Sequence, residues 1–200
     1  MTQRIVLASS NRGKLAEFNA LLADSGFEVV TQASLGIEDA EETGLTFIEN
    51  ALLKARHAAQ ASGRPALADD SGLCVEYLGG APGLYSARYS GGHGDSAANN
   101  ARLLRELDGV PAGQRGAFFI CALVLLRRAD DPTPLIVEGR WHGRVLDAPR
   151  GARGFGYDPL FLPNGQQVSA AELDPGLKNR LSHRGQALAK LRVRLAEPLR

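Results

Sequence analysis

Cysteine is scarce in this chain: Cys74 and Cys121 are the only two among 200 residues. They lie far apart inside apolar runs, and neither belongs to a C-x-x-C or zinc-type spacing. That excludes a disulfide-stapled scaffold and a cysteine-built zinc site, and it predicts two buried core thiols in a reducing compartment. An excess of one charge is also lacking, with 23 Lys and Arg against 22 Asp and Glu for a net +1. A nucleic-acid binder that neutralises many phosphates carries a stronger basic excess, so nucleic acid is not expected as a partner, while a local basic pocket stays open. Long hydrophobic runs are missing as well. The strongest, "AFFICALVLL" at 117–126, suits a buried strand and falls short of the roughly 18 residues of a membrane span. The opening "MTQRIVLASSN" turns polar too quickly for a signal peptide. A soluble cytoplasmic protein is expected. His57, His93 and His142 show no ligand spacing, and no repeat, low-complexity tract or linker interrupts the chain.

What is present is globular: 44% apolar and 22% charged residues, enough for one sizeable core or two lobes sharing one. The pattern reads as a single α/β domain over 1–200. "RIVLAS" (4–9) reads as a strand and "FEVVT" as another. Between them Leu15, Phe18, Leu21 and Leu22 share a helical face that stops near Gly26. "TFIE" at 46–49 is a capping box opening a helix to about Ser62, ended by Gly63 and Pro65. Two short strands are expected around an Asp69–Asp70 step. "SAANNARLLREL" reads as a short helix, and 115–127 with 134–141 as a long strand pair. "SAAE" at 169–172 reads as another capping box. A last helix from about Ser182 turns Leu188, Leu191 and Leu195 inward.

Four constellations carry possible chemistry. "SSNRGK" (9–14) follows a strand and precedes a helix, where free backbone N–H groups and a partial positive charge suit phosphate. Gly13 allows close approach and Lys14 adds charge, although an ordinary N-cap gives the same pattern. "PALADDSGLCVE" (65–76) sets Asp69 beside Asp70, then Ser71. It reads as an acidic hairpin tip or as a strand end offering oxygens to a cation, together with the acidic run "EDAEETG". "GFGYDP" (154–159) places aromatics between glycines, for a flat ring or for a bulge with core aromatics. "LKNRLSHRG" (177–185) crowds Lys178, Arg180, His183 and Arg184 at a helix boundary, as donors for a carbonyl edge or phosphate, or as a basic surface.

Taken in order, the first-strand S-x-N-x-x-K, "ETGLTFIENALLKA", "ADDSGL", "GAPGLYSARYSG", "GFGYDP" and "SHRGQAL" closely resemble the inosine/xanthosine triphosphate pyrophosphatase family, from about residue 5 to about 195. The resemblance implies hydrolysis of deaminated purine nucleoside triphosphates (ITP, dITP, XTP) to monophosphate and pyrophosphate. It also implies an elongated mixed β-sheet flanked by helices, two lobes with a central cleft, a Mg²⁺ cofactor and a homodimer. It makes Ser9, Ser10, Asn11, Arg12, Gly13 and Lys14 the triphosphate turn, with Ser10 standing where many members carry Gly. Glu41 and Asp70 become the metal-side carboxylates, and Asp70 the proton acceptor. Ser71 becomes a substrate contact and Lys54 a lysine near the phosphates. Phe155, Gly156, Tyr157, Asp158, Lys178, His183 and Arg184 fall on the base and sugar side. Asp69 is expected to add charge or orient neighbours. The alternatives are a pyrophosphatase for modified pyrimidine or standard nucleotides, and a nucleotide sensor without hydrolysis.

Overall fold

The computed structural model describes residues 3–9, 18, 27–92 and 94–196. Six strands form one sheet: β1 (Gln3–Ala8), β2 (Phe27–Thr31), β3 (Ala66–Val75), β4 (Gly116–Leu126), β5 (Leu135–Val145) and β6 (Phe161–Pro163), in the order β2-β1-β3-β4-β5-β6. β1 runs parallel to β2, with Gln3 opposite Phe27, and to β3, with Val6 opposite Ala66. β5 and β6 are antiparallel, with Gly143 opposite Pro163. The sheet is therefore mixed, as expected. The helices are α1 (Phe47–Ser62), α2 (Ser96–Glu106), α3 (Pro175–Leu181) and α4 (His183–Ala196). No described helix is long and apolar enough to cross a membrane.

Contacts divide the chain into two compact units. The first holds Met1–Asp70, Cys121–Gly139 and Arg184–Arg200, and the second Ser71–Ile120 and Arg140–His183. In the first, strand alternation separates two cores. Ile5 and Leu7 of β1, Leu67 of β3, and Cys121, Leu123 and Leu125 of β4 join Ala187, Leu188 and Leu191 of α4. The intervening Val6, Ala8, Ala66, Ala68, Ala122, Val124 and Leu126 join Ala51, Ala55, Ala58 and Ala59 of α1. Successive side chains of a strand point to opposite faces, so each helix covers one face. The α1 side is built from small residues, which lets helix and strand backbones approach closely. α1 is fixed at both ends: the Glu49 N–H donates to Thr46 Oγ1 at 3.2 Å, and Gly63 closes the helix at φ 64°.

The second unit packs Leu73, Val75, Ala117, Phe119, Trp141, Val145 and Phe161 from its strands against Leu103 and Leu107, with Tyr157 and Leu160. Phe119 is its hub, edge-on to Phe161 at 4.8 Å and stacked on the His183 ring at 4.9 Å.

Several sequence expectations change. The Asp69–Asp70 step separates no pair of short strands: β3 runs through it unbroken. β5 extends beyond 141 to Val145. Cys121 is buried, but Cys74 is only half-buried and forms an isolated antiparallel bridge with Pro82. Ser169 and Glu172 make half a capping box: the Ser169 N–H donates to Glu172 Oε2 at 2.8 Å, but the Ser169 hydroxyl donates to the Arg150 carbonyl and only a turn follows. The helix expected from about Leu15 to near Gly26 lies outside the described residues except for Phe18, which is buried.

Replacing the buried Ala55 with Leu is expected to overpack the small-residue face of α1. Urea unfolding should show a loss of about 1–3 kcal/mol, against little change for a substitution at the exposed Arg56.

Candidate active site

The alternation of β3 decides where two neighbouring acids go. Ala66 and Ala68 face α1 and Leu67 faces the α4 side. Continuing that period sends Asp70 toward α1 and Asp69 toward α4. Both find a cation there. Asp70 Oδ1 accepts from Lys54 Nζ at 2.8 Å, and Asp70 Oδ2 accepts from Asn50 Nδ2 at 3.4 Å. Asn50 and Lys54 are four apart on one helix, so they stand one turn above the other on one face. Asp69 Oδ2 accepts from Arg184 Nη2 at 3.3 Å, and this pair is buried to about 1% exposure or less. The Arg184 guanidinium also lies over the Phe18 ring, 5.8 Å from its centre.

Lys54 holds a second carboxylate. Its Nζ donates at 2.8 Å to Glu42 of the acidic segment. Burial lowers the Lys54 pKa, but Asp70, Asp69 and Glu42 outweigh it and the net shift is upward. The ammonium is therefore the fixed counter-ion of the group. The acidic segment is tied to α1 at further points. The Gly44 N–H donates to Asn50 Oδ1 at 2.7 Å, the Leu45 N–H to Glu49 Oε2 at 2.8 Å, and His57 Nε2 meets the Glu38 carbonyl at 3.0 Å. A side chain on Gly44 would collide with Glu49 and Asn50, so glycine is required there. Glu41 itself is exposed. Its neighbour Glu42 is the acid that reaches Lys54, a choice between adjacent glutamates that the sequence gives no signal to make.

Among the described residues no group of three or more His, Cys, Asp or Glu side chains could hold a metal. The donor set nonetheless fits magnesium, which binds through one or two carboxylates and keeps its other positions for water and phosphate. Asp70 and Glu42 are hard oxygen donors brought to one ammonium from two distant segments.

In the second unit a loop is locked around Asp158. Its Oδ2 accepts from the Phe155 N–H at 2.8 Å and from Lys178 Nζ at 2.7 Å. A side chain on Gly154 would collide with the Asp158 carboxylate, and Gly154 has φ +77°. Lys178 also stands 5.3 Å from the centre of the Phe155 ring, which is 37% exposed. Tyr157 is buried, and its hydroxyl donates to the Ser86 carbonyl at 2.9 Å. Burial, with a contribution from Tyr89, raises its pKa.

The structure thus joins Lys54 to Asp70, and joins Phe155, Asp158 and Lys178 to one another. Ser9 follows β1 and is buried, Ser71 is half-buried in β3, and His183 and Arg184 are buried and do not form a solvated basic surface. Ser10, Asn11, Arg12, Gly13 and Lys14 lie outside the described residues. The sequence did not single out Glu42 and Asn50 as the partners of Lys54 and Asp70. For Asn50 a signal existed: it stands four residues before Lys54.

Residues 5–194 match the Ham1 family. The chain is 60% identical over 200 residues to a dITP/XTP pyrophosphatase of Ralstonia nicotianae, covering 98% of each chain. It is 54% identical over 189 residues to a dITP/XTP pyrophosphatase of Vibrio cholerae, covering 94% of each. Its structure is similar to that of a HAM1 protein from Coxiella burnetii, with a TM-score of 0.89, 48% identity, and coverage of 96% of this chain and 98% of that one.

Two outcomes test these pairs. Arg184→Met removes the guanidinium partner of a buried carboxylate and should cost about 3–5 kcal/mol in urea unfolding. The Lys54 pKa is raised on folding, so its contribution to stability is complete below the unfolded lysine value of about 10.4 and is lost as pH rises through the folded value. Stability should therefore fall less steeply above about pH 10.4 in Lys54→Met than in the parent, as read by urea midpoints at a series of pH values.

Proposed function

Because this chain belongs to the Ham1 family, we propose that it is a pyrophosphatase that hydrolyses deaminated purine nucleoside triphosphates, ITP, dITP and XTP, to the monophosphate and pyrophosphate. The observation that carries the reading is Asp70. It is a carboxylate in the middle of a strand, aimed by Lys54 and Asn50 of one helix and joined through Lys54 to the acidic segment.

The Asp70 carboxylate orients a water and takes its proton as the water attacks phosphorus. General-base assistance of this kind is worth on the order of 10²–10⁴-fold. Lys54, whose ammonium remains charged throughout the neutral range, and Lys14 counter the charge gathering on the departing pyrophosphate. Residues 9–14 bind the triphosphate, and Ser71 contacts the substrate. Asp70, with Glu42 or its neighbour Glu41, would hold Mg²⁺, which would supply charge neutralisation at the phosphate oxygens.

The base lies against Phe155, with Gly156, Tyr157, Asp158, Lys178, His183 and Arg184 around it. Purines with a carbonyl at position 6 accept hydrogen bonds, whereas adenine presents an amino donor there. A site of N–H donors therefore accepts the first and leaves donors opposed with the second, a mismatch worth up to about 10⁴–10⁵-fold. The same reading includes a homodimer in the cytoplasm.

Incubation with ITP and Mg²⁺ should give IMP and pyrophosphate, whereas IDP and orthophosphate would identify a phosphatase and no turnover a sensor. In a panel of ITP, XTP, GTP, ATP, dTTP and UTP, kcat/KM should be highest for ITP and XTP. Equal efficiency on ATP would remove the donor-edge argument, and preference for dTTP or UTP would identify a pyrimidine enzyme.

A further inference from the structure

Helix α2 carries two consecutive asparagines that face different tasks. Asn99 is buried and secures its own neighbourhood. Its Oδ1 accepts from the Ser90 N–H at 2.7 Å, and its Nδ2 reaches the Ser86 and Ala87 carbonyls at 3.4 and 3.3 Å. Asn100 reaches 56 positions along the chain, where its Nδ2 donates to the Gly156 carbonyl at 3.0 Å.

Gly156 stands inside the Phe155–Asp158 loop at φ +61°. The residues around it are held by other contacts: the Phe155 N–H by Asp158, Asp158 by Lys178, and the Tyr157 hydroxyl by Ser86. Gly156 has no side chain to anchor, so its peptide plane is fixed from outside, by Asn100.

The other amide atom of Asn100 makes a stability role a poor explanation. Its Oδ1 is enclosed and meets no donor among the described residues. A buried acceptor left unmet is unfavourable, and an apolar residue at this helix position would avoid that loss. Exchanging the amide atoms gives no relief, because two acceptors would then face each other across 3.0 Å. The donor toward Gly156 is what the position retains.

We propose that Asn100 is a positioning residue for base recognition: by holding the Gly156 carbonyl it sets the peptide planes against which the purine is read. This rests on the reading that Phe155–Asp158 faces the base. Asn100 acts through the Gly156 carbonyl, so its effect belongs to nucleoside affinity and not to turnover.

Asn100→Asp keeps the shape but replaces the donor with an acceptor, and Asn100→Ala removes both. Titration calorimetry with IMP and separately with pyrophosphate, and kinetics with ITP and ATP, test the proposal on the full chain. In both variants IMP should bind about tenfold more weakly, pyrophosphate should bind as in the parent, and KM for ITP should rise with kcat unchanged. Loss of IMP and pyrophosphate affinity together, or a lowered melting temperature with IMP affinity intact, would overturn it. If the parent turns over ITP and both variants bind IMP normally, Asn100 alone loses its role. If the parent binds no IMP, the base-side reading falls and the proposal falls with it.

Discussion

A strand places neighbouring side chains on opposite faces, and in β3 that rule separates two carboxylates that would otherwise repel each other. Asp70 goes to the face covered by α1 and meets Lys54, while Asp69 goes to the α4 side and meets Arg184. Each acid sits in a different electrostatic setting. Asp69 is buried with its guanidinium partner, which lies over the Phe18 ring, an environment suited to holding structure. Asp70 shares an ammonium with Glu42, which is only partly buried, an arrangement suited to exchange partners when a cation or phosphate arrives.

The rest of the first unit supports that division. The alanine face of α1 lets the helix lie close to the strands, which brings Asn50 and Lys54 within reach of Asp70. The cap at Thr46 fixes where the helix begins, and the acidic segment hangs from the same helix through Glu49, Asn50, Lys54 and His57. Movement of α1 would therefore carry the acidic segment and the partners of Asp70 together. The second unit uses a different device. Its loop at 154–158 is organised by one buried carboxylate, two glycines in the left-handed region and an asparagine from α2.

Periodicity and capping made much of this legible. Thr46 and Glu49 marked the start of α1, Gly63 its end, and the apolar run at 117–126 the central strand β4. The family was legible from the order of short motifs, none of which was decisive alone. What failed was reading by composition. Asp-Asp-Ser-Gly has the residues of a turn, yet it is a strand interior, because side chains from 16 and 115 positions away supply the charges that make it one. Ser169 and Glu172 have the spacing of a capping box, but Arg150 takes the serine hydroxyl. Whether Glu41 or Glu42 meets Lys54, and what Asn100 reaches, depend on tertiary placement that no local pattern encodes.

The division of labour between the two adjacent acids is tested most directly by measuring ITP turnover and unfolding free energy on Asp69→Asn and Asp70→Asn side by side. Asp70→Asn is expected to lose turnover by at least about 10²-fold with a near-normal fold. Asp69→Asn is expected to lose stability, with the fraction remaining folded retaining turnover. Near-normal turnover in a folded Asp70→Asn protein, or an equal loss of both properties in both variants, would contradict that division.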